Sequence, residues 1–315
     1  MNFCIGVDVG GTDIKFGLFD ANGTLLEQWK KKTQIGEGLI KDIAEEITKK
    51  VGNNNLLGVG LGVPGPVRND GFVEACVNLG LRNINFQTEL SKYLGDIPIA
   101  ATNDANAAAL GEMWRGAGQG YQNLIMVTLG TGVGGGLVLN GKVLNGLRGV
   151  AGEIGHITVN SEESELCNCG GRGCLEQYSS ATGVVTQMKR ALAKAENPEE
   201  CSLFGKEDFT AKDVVDAAKA GDALALATVE YCMEILGKTL ADISQLVDPE
   251  LFVIGGGLSN AGDFLIDMIA KYYAKHSVFS QPEAKVVQAH LGNNAGIYGA
   301  AKLIIDGEVR EKAIA

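Results

Sequence analysis

Residues 3–9 form an apolar run that breaks at Gly10-Gly11-Thr12, resumes over 14–20, turns at Ala21-Asn22-Gly23 and resumes over 24–30. About 120 residues later the same order returns: an apolar run at 124–129, a turn through Gly130-Thr131-Gly132, a second run at 137–139 and an Asn140-Gly141 turn. Strand, Gly/Thr turn, strand and Asn-Gly turn are hairpin features. Their recurrence marks two copies of one domain plan, and a chain so written has to build two sheets. Its 315 residues suffice for two cores.

After the first copy, Leu39, Ile40, Ile43 and Ile47 fall at helical spacing within 38–50, and 56–63 reads as a buried strand ending at Pro64-Gly65-Pro66. A short amphipathic helix at 87–94, a strand at 97–102 and an alanine-rich helix at 105–115 follow, the last stopped by Gly116 and Gly118. After the second copy come helices near 181–195, 211–220 and 222–246, then a strand at 251–254 running into Gly255-Gly256-Gly257. A helix, a strand and a helix finish the chain. Helices alternating with strands after an initial meander predict an α/β protein with mixed sheets. The division expected is a small domain over 1–117 and a larger one over 118–295.

A net charge of -11 argues against a nucleic-acid surface, which calls for Lys and Arg. No apolar run approaches the roughly 18 residues of a membrane span. An odd total of seven cysteines, three of them clustered, fits a reducing compartment, and the cytoplasm is expected.

The clustered cysteines are Cys167, Cys169 and Cys174, in a C-x-C-G-x-x-G-C pattern whose glycines let three thiolates converge. A structural zinc takes four nitrogen or sulfur ligands, and His156, eleven residues before Cys167, is the candidate fourth. Glu153 and Glu176 flank this shell without being needed to complete it. Sugar hydroxyls both donate and accept, so a sugar pocket wants carboxylates, amides and imidazoles. Asn78, Asn103, Asp104, Glu153, His156 and Glu176 supply them, with zinc fixing one ring nitrogen of His156 and leaving the other to the pocket.

The turn Gly10-Gly11-Thr12 offers backbone N–H groups and a hydroxyl to phosphate oxygens, and Asp8 could hold Mg²⁺ through water. Thr131 and Gly132 stand at the matching place of the second copy, so the two turns could clamp a polyphosphate. Gly130-x-Gly132-x-x-Gly135 mimics a dinucleotide motif, yet a strand rather than a helix follows it. Gly136-x-x-x-x-Gly141-Lys142 mimics a P-loop but lacks its Ser or Thr. Asn103-Asp104 sits where a strand meets a helix, a place where one of the two would cap the helix. A carboxylate there can also accept the proton of a hydroxyl attacking phosphorus, and Asp104 is the candidate base.

Six motifs, Asp8-x-Gly-Gly-Thr12, Asn103-Asp104-Ala105, Thr128-Leu-Gly-Thr-Gly132, Gly152-Glu-x-Gly-His156, the Cys167–Glu176 segment and Val253-Ile-Gly-Gly-Gly257, together resemble the ROK (repressor, open reading frame, kinase) family, closest to its bacterial glucokinases. The resemblance implies an actin-like, hexokinase-type (ribonuclease H-like) fold of two domains closing over a cleft. The helix at about 296–315 would return to the first domain. It implies transfer of phosphate from Mg²⁺-ATP to a hexose, glucose foremost, by a homodimer that needs neither nucleic acid nor membrane.

Carried over by position, Asp104 is the base, with Gly65, Asn78, Asn103, Glu153, His156 and Glu176 around the sugar. Gly10, Gly11, Thr12, Lys15, Thr131, Gly132, Gly255, Gly256 and Gly257 face ATP, and His156, Cys167, Cys169 and Cys174 hold structural zinc. Two residues depart from the family pattern. Asp13 stands where many relatives have lysine, leaving Lys15 as its nearest compensation, and Leu81 stands where an aromatic residue is common.

Family members that are repressors carry a DNA-binding module ahead of the kinase-like body. Seven residues precede Asp8 and the chain is acidic, so an enzyme is expected. A zinc hydrolase would need an open metal position that four protein ligands deny. Kinases for N-acylmannosamine, allose or fructose share the machinery, and one epimeric hydroxyl is not legible in sequence.

Overall fold

The computed structural model describes residues 2–52, 55–278 and 284–307. Strands β1 (Asn2–Val9), β2 (Asp13–Asp20) and β3 (Leu25–Lys32) form the expected antiparallel meander. Helix α1 (Leu39–Val51), β4 (Asn55–Val63), β5 (Phe72–Cys76), β6 (Leu81–Asn85), α2 (Phe86–Leu94), β7 (Ile99–Asn103) and α3 (Asp104–Arg115) follow. β4 and β7 add in parallel beside β1, giving the mixed order β3-β2-β1-β4-β7. β1 is apolar from Phe3 to Val7 because it is covered on both faces. Leu39, Ile40, Ile43 and Ile47 of α1 join its core cluster, while Gly6 lies so close to the C-terminal helix that a Cβ there would stand 2.0 Å from the Ile297 carbonyl oxygen.

The hairpin β5–β6 was not anticipated. Its strands are five residues each, β6 is polar (LRNIN), and Asn83 takes a left-handed φ of 51°, so neither strand shows the period-two alternation that marks a half-buried strand.

The second copy opens with β8 (Leu124–Leu129), β9 (Val133–Leu139) and the two-residue β10 (Lys142–Val143). Helices α4 (Glu176–Ser179), α5 (Ala181–Lys194), α6 (Ala211–Lys219) and α7 (Ala223–Val247) lead to β11 (Leu251–Gly255), α8 (Asp263–His276), β12 (Lys285–Gln288) and α9 (Ala295–Ile305). The order β10-β9-β8-β11-β12 matches the first sheet place for place: a central opening strand, a hairpin on one side and two later strands on the other. The duplicated plan is therefore present in the topology as well as in the turns.

Packing divides the chain into one unit of residues up to 124, 136–152 and 290 onward, and another of 125–135 with 153–289. In the first unit α9 lies on β1, β4 and α3. Positions 308–315 of the helix expected over 296–315 lie outside the described residues. Among the described residues no helix is long and apolar enough to cross a membrane.

Candidate active site and metal centre

The four predicted zinc ligands come together within the second unit. The ligand atoms of His156, Cys167, Cys169 and Cys174 all lie within 4.8 Å of one another. Cys169 Sγ is 3.6 Å from Cys174 Sγ, and Cys167 Sγ is 3.8 Å from His156 Nδ1. A tetrahedral site with zinc–sulfur bonds of about 2.3 Å has edges of about 3.8 Å, so the donors fit a closed four-coordinate zinc. Local backbone makes this possible. The Gly171 N–H donates to Cys169 Sγ at 3.4 Å, and Gly173, at φ 67°, leaves room for the Asn160 carbonyl oxygen that a Cβ would meet at 1.7 Å. Burial pushes the Cys167 and Cys174 thiols up, whereas the Gly171 amide draws Cys169 down. Buried thiols that resist ionisation become ligands when a dication supplies the opposing charge.

Two carboxylates border this cluster. His156 Nε2 points toward Glu153 Oε2 at 3.9 Å, so the ring turns one nitrogen to the cysteines and the other to Glu153. Glu176 is nearer the cluster than the sequence suggested: its Oε1 accepts from Cys167 Sγ at 2.9 Å and lies 3.8 Å from His156 Nδ1. The cause is local, since α4 starts at Glu176 only two residues after Cys174. A Cβ on Gly132 would stand 2.5 Å from Glu176 Oε2, so the second Gly/Thr turn borders the Glu176 carboxylate directly.

The turn itself is held by Gly130 N–H donating to the Gly132 carbonyl at 3.0 Å, and by Ala181 N–H donating to the Gly130 carbonyl at 2.8 Å. Gly256, at φ 83°, lies against Leu129, where a Cβ would meet the carbonyl oxygen at 2.5 Å. The glycines Gly255, Gly256 and Gly257 and the Thr131 turn are thus neighbours in one unit.

Sequence reading missed the brace behind the loop that carries the His/Cys cluster. Glu163, 7% exposed, accepts from Tyr178 Oη at 2.7 Å and from Arg190 at 2.8 and 3.1 Å. Arg190 foremost, together with the Glu165 N–H and the Tyr178 hydroxyl, holds the Glu163 carboxyl at about 2. A lone Arg on α5 and a Glu in an acidic stretch give no signal of this pairing in one dimension.

In the first unit the strand–helix corner resolves which residue caps. Asn103 is the N-cap: its Oδ1 accepts from the N–H groups of Ala105 at 2.9 Å and Asn106 at 3.2 Å, and its Nδ2 donates to the Gly65 carbonyl at 3.1 Å. Asp104 is then the first helical residue, where the helix dipole favours negative charge. Its charge adds to burial in pushing the Cys76 thiol up to about 11, burial being the larger cause. Asn78 is exposed beside Gly11, whose Cβ would lie 3.7 Å from the Asn78 carbonyl oxygen. Leu81 is buried at 8% exposure in the core of this unit, on the strand paired with Cys76.

The first Gly/Thr turn is clasped from the side. Thr33 Oγ1 donates to the Gly10 carbonyl at 2.6 Å, and the Thr33 N–H donates to the Thr12 carbonyl at 3.0 Å. Lys15 pairs with Asp8 Oδ2 at 3.1 Å and also donates to the Asn293 carbonyl. Asp13 pairs with Lys32 at 3.0 Å, because β3 sets Lys32 directly opposite it, and Lys15 contributes only as a lesser charge nearby. The Lys32 ammonium, ahead of the other causes, holds the Asp13 carboxyl below its ordinary value.

Residues 4–307 match the model of the ROK family. The chain belongs to the ROK family. A glucokinase of Halalkalibacterium halodurans is 41% identical over 313 residues, covering 95% of this chain and 94% of that protein. An N-acetyl-D-glucosamine kinase of Mannheimia succiniciproducens is 32% identical over 318 residues, covering 95% of this chain and 98% of that protein. Among solved structures, a ROK family glucokinase from Streptomyces griseus in complex with glucose and AMPPNP is 36% identical, with a TM-score of 0.76 and coverage of 96% of this chain and 98% of that one. The actin-like, hexokinase-type architecture of two α/β domains with mixed sheets is the fold of this ROK chain.

Proposed function

We propose that this ROK protein is an ATP-dependent hexose kinase that converts glucose and ATP to glucose 6-phosphate and ADP, with Asp104 as the base. The observation that carries the assignment is the division of labour at the α3 corner. Asn103 is the N-cap, and Asp104, whose Oδ1 accepts from the Ala105 N–H at 2.8 Å, holds its carboxylate at the helix start. In the reaction the sugar 6-hydroxyl attacks the γ-phosphorus, its proton passes to Asp104, and the bond from that phosphorus to the β-bridging oxygen breaks to release ADP. Backbone amides of the Gly10-Gly11-Thr12 and Thr131-Gly132 turns, with the Gly255–Gly257 turn, face the nucleotide. Asp8, oriented by Lys15, would hold Mg²⁺, which neutralises phosphate charge when bound.

Gly65, Asn78, Asn103, Glu153, His156 and Glu176 hold the sugar. His156, Cys167, Cys169 and Cys174 hold a structural zinc that fixes the ring of His156 and shapes the sugar side. Seven free thiols support a cytoplasmic setting. The 32% identity to an N-acetyl-D-glucosamine kinase keeps a second reading in view, a kinase for another hexose with the same base. Asp104→Ala should remove nearly all turnover while ATP binding, followed by calorimetry, is unchanged; half the activity remaining would place the base elsewhere.

A further inference from the structure

We infer that Asn145 is a positioning residue for this reaction, its side-chain amide tying the Asp104 corner to the loop that carries Gly65. The inference rests on the reading of Asp104 as the base. Asn145 follows β10 in an Asn-Gly pair that reads as an ordinary turn, yet its side chain faces inward. Its Oδ1 accepts from Thr102 Oγ1 at 2.8 Å and from Asn106 Nδ2 at 3.0 Å, and its Nδ2 donates to Asn69 Oδ1 at 3.0 Å. Thr102 and Asn106 are each 1% exposed, and they stand two residues before and two after Asp104.

The orientation of these amides is fixed by a group that cannot flip. The backbone N–H of Leu137 donates to Asn106 Oδ1 at 3.1 Å, which turns Asn106 Nδ2 toward Asn145. Asn145 must answer with its oxygen, and its own Nδ2 is then directed at Asn69. A backbone amide in β9 thereby sets the direction of the whole relay. The loop after Asn145 also lies backbone to backbone on the Gly65 segment, since a Cβ on Gly149 would stand 2.5 Å from Val67 carbonyl atoms. Two chain segments bearing proposed sugar-site residues, 64–70 and 102–106, are therefore registered through this amide as well as through Asn103 Nδ2 on the Gly65 carbonyl.

The two ends of that amide have separable jobs. Loss of the acceptor end strands two buried donors beside Asp104 and lets the corner shift, which acts on kcat. Loss of the donor end loosens the Gly65 loop at Asn69 without touching the buried donors beside Asp104, which acts on the glucose KM. Three variants test this, each with kcat, KM for glucose, KM for ATP, zinc content and a thermal melt, alongside Asp104→Ala. Asn145→Ala should lower kcat by about tenfold or more, with zinc content kept. Asn145→Asp keeps the acceptor, so it should restore most of kcat while raising glucose KM severalfold, and Asn69→Ala should share that KM effect.

Asn145→Ala with kcat and glucose KM within twofold of the parent would overturn the inference. So would equal kcat losses in the Ala and Asp variants that track loss of folded protein. Should Asp104→Ala remain active, the failure belongs to the base assignment. An inactive Asp104→Ala beside an unaffected Asn145→Ala sinks the positioning role alone.

Discussion

Replacing Arg190 by Met should loosen the support of the loop that carries the cysteine cluster by an amount that the structure allows to be worked out. The Glu163 carboxyl, held at about 2 against an ordinary 4.5, corresponds to about 3 kcal/mol of stability at neutral pH. Arg190 is the largest contributor, but its side chain is 30% exposed, and solvent screening trims its share to about 2 kcal/mol. With a urea slope of about 3 kcal/mol per molar, the midpoint of Arg190→Met should fall by about 0.7 M. Because the carboxyl is depressed in the folded protein, the contribution is full above the ordinary value of 4.5 and is lost as pH falls toward 2. The gap between parent and variant should therefore narrow as pH goes from 7 to 3. The assay is urea unfolding followed by circular dichroism on chelated protein in both arms, so that thiolate protonation is common to both. A midpoint shift under roughly 0.2 M at pH 7, or a gap that widens in acid, would refute the reasoning.

Cys169→Ser should release zinc, measured by metal analysis, and weaken glucose binding together with stability; a zinc-free protein with unchanged sugar affinity would separate the metal from the pocket. Gly132→Ala pushes a Cβ against Glu176 Oε2, where the flexible carboxylate gives way, so glucose KM should rise about three- to tenfold. An unchanged glucose KM in steady-state kinetics would show that Glu176 does not hold the sugar.

Much of this was written in local pattern. The helix expected at 211–220 is α6 at Ala211–Lys219, and the run at 124–129 is β8 at Leu124–Leu129, because periodicity and Gly or Asp boundaries act over a few residues. The ligand cluster was legible for the same reason, its three cysteines lying within one loop. What depends on partners far along the chain was not. Nothing near Asn145 announces Thr102, 43 residues away, and nothing near Glu163 announces Arg190, 27 away. Asp13 was matched with Lys15 by sequence proximity, whereas strand register gave it Lys32. Cross-strand pairing is set by the hairpin turn at Asn22-Gly23 together with the register shift between Leu18 and Phe19, and a neighbour in sequence two residues along the same strand is not the residue opposite.

The central claim is glucose-dependent phosphoryl transfer, and ADP release from Mg²⁺-ATP tests it most directly. Zinc-replete protein would be assayed with glucose, mannose, N-acetylmannosamine, N-acetylglucosamine, allose and fructose in parallel, beside a control without sugar. Release that depends on glucose and is fastest with it is the predicted result. Release driven by another sugar alone would contradict the glucose assignment while keeping the machinery around Asp104, and no release with any of them would contradict the kinase itself.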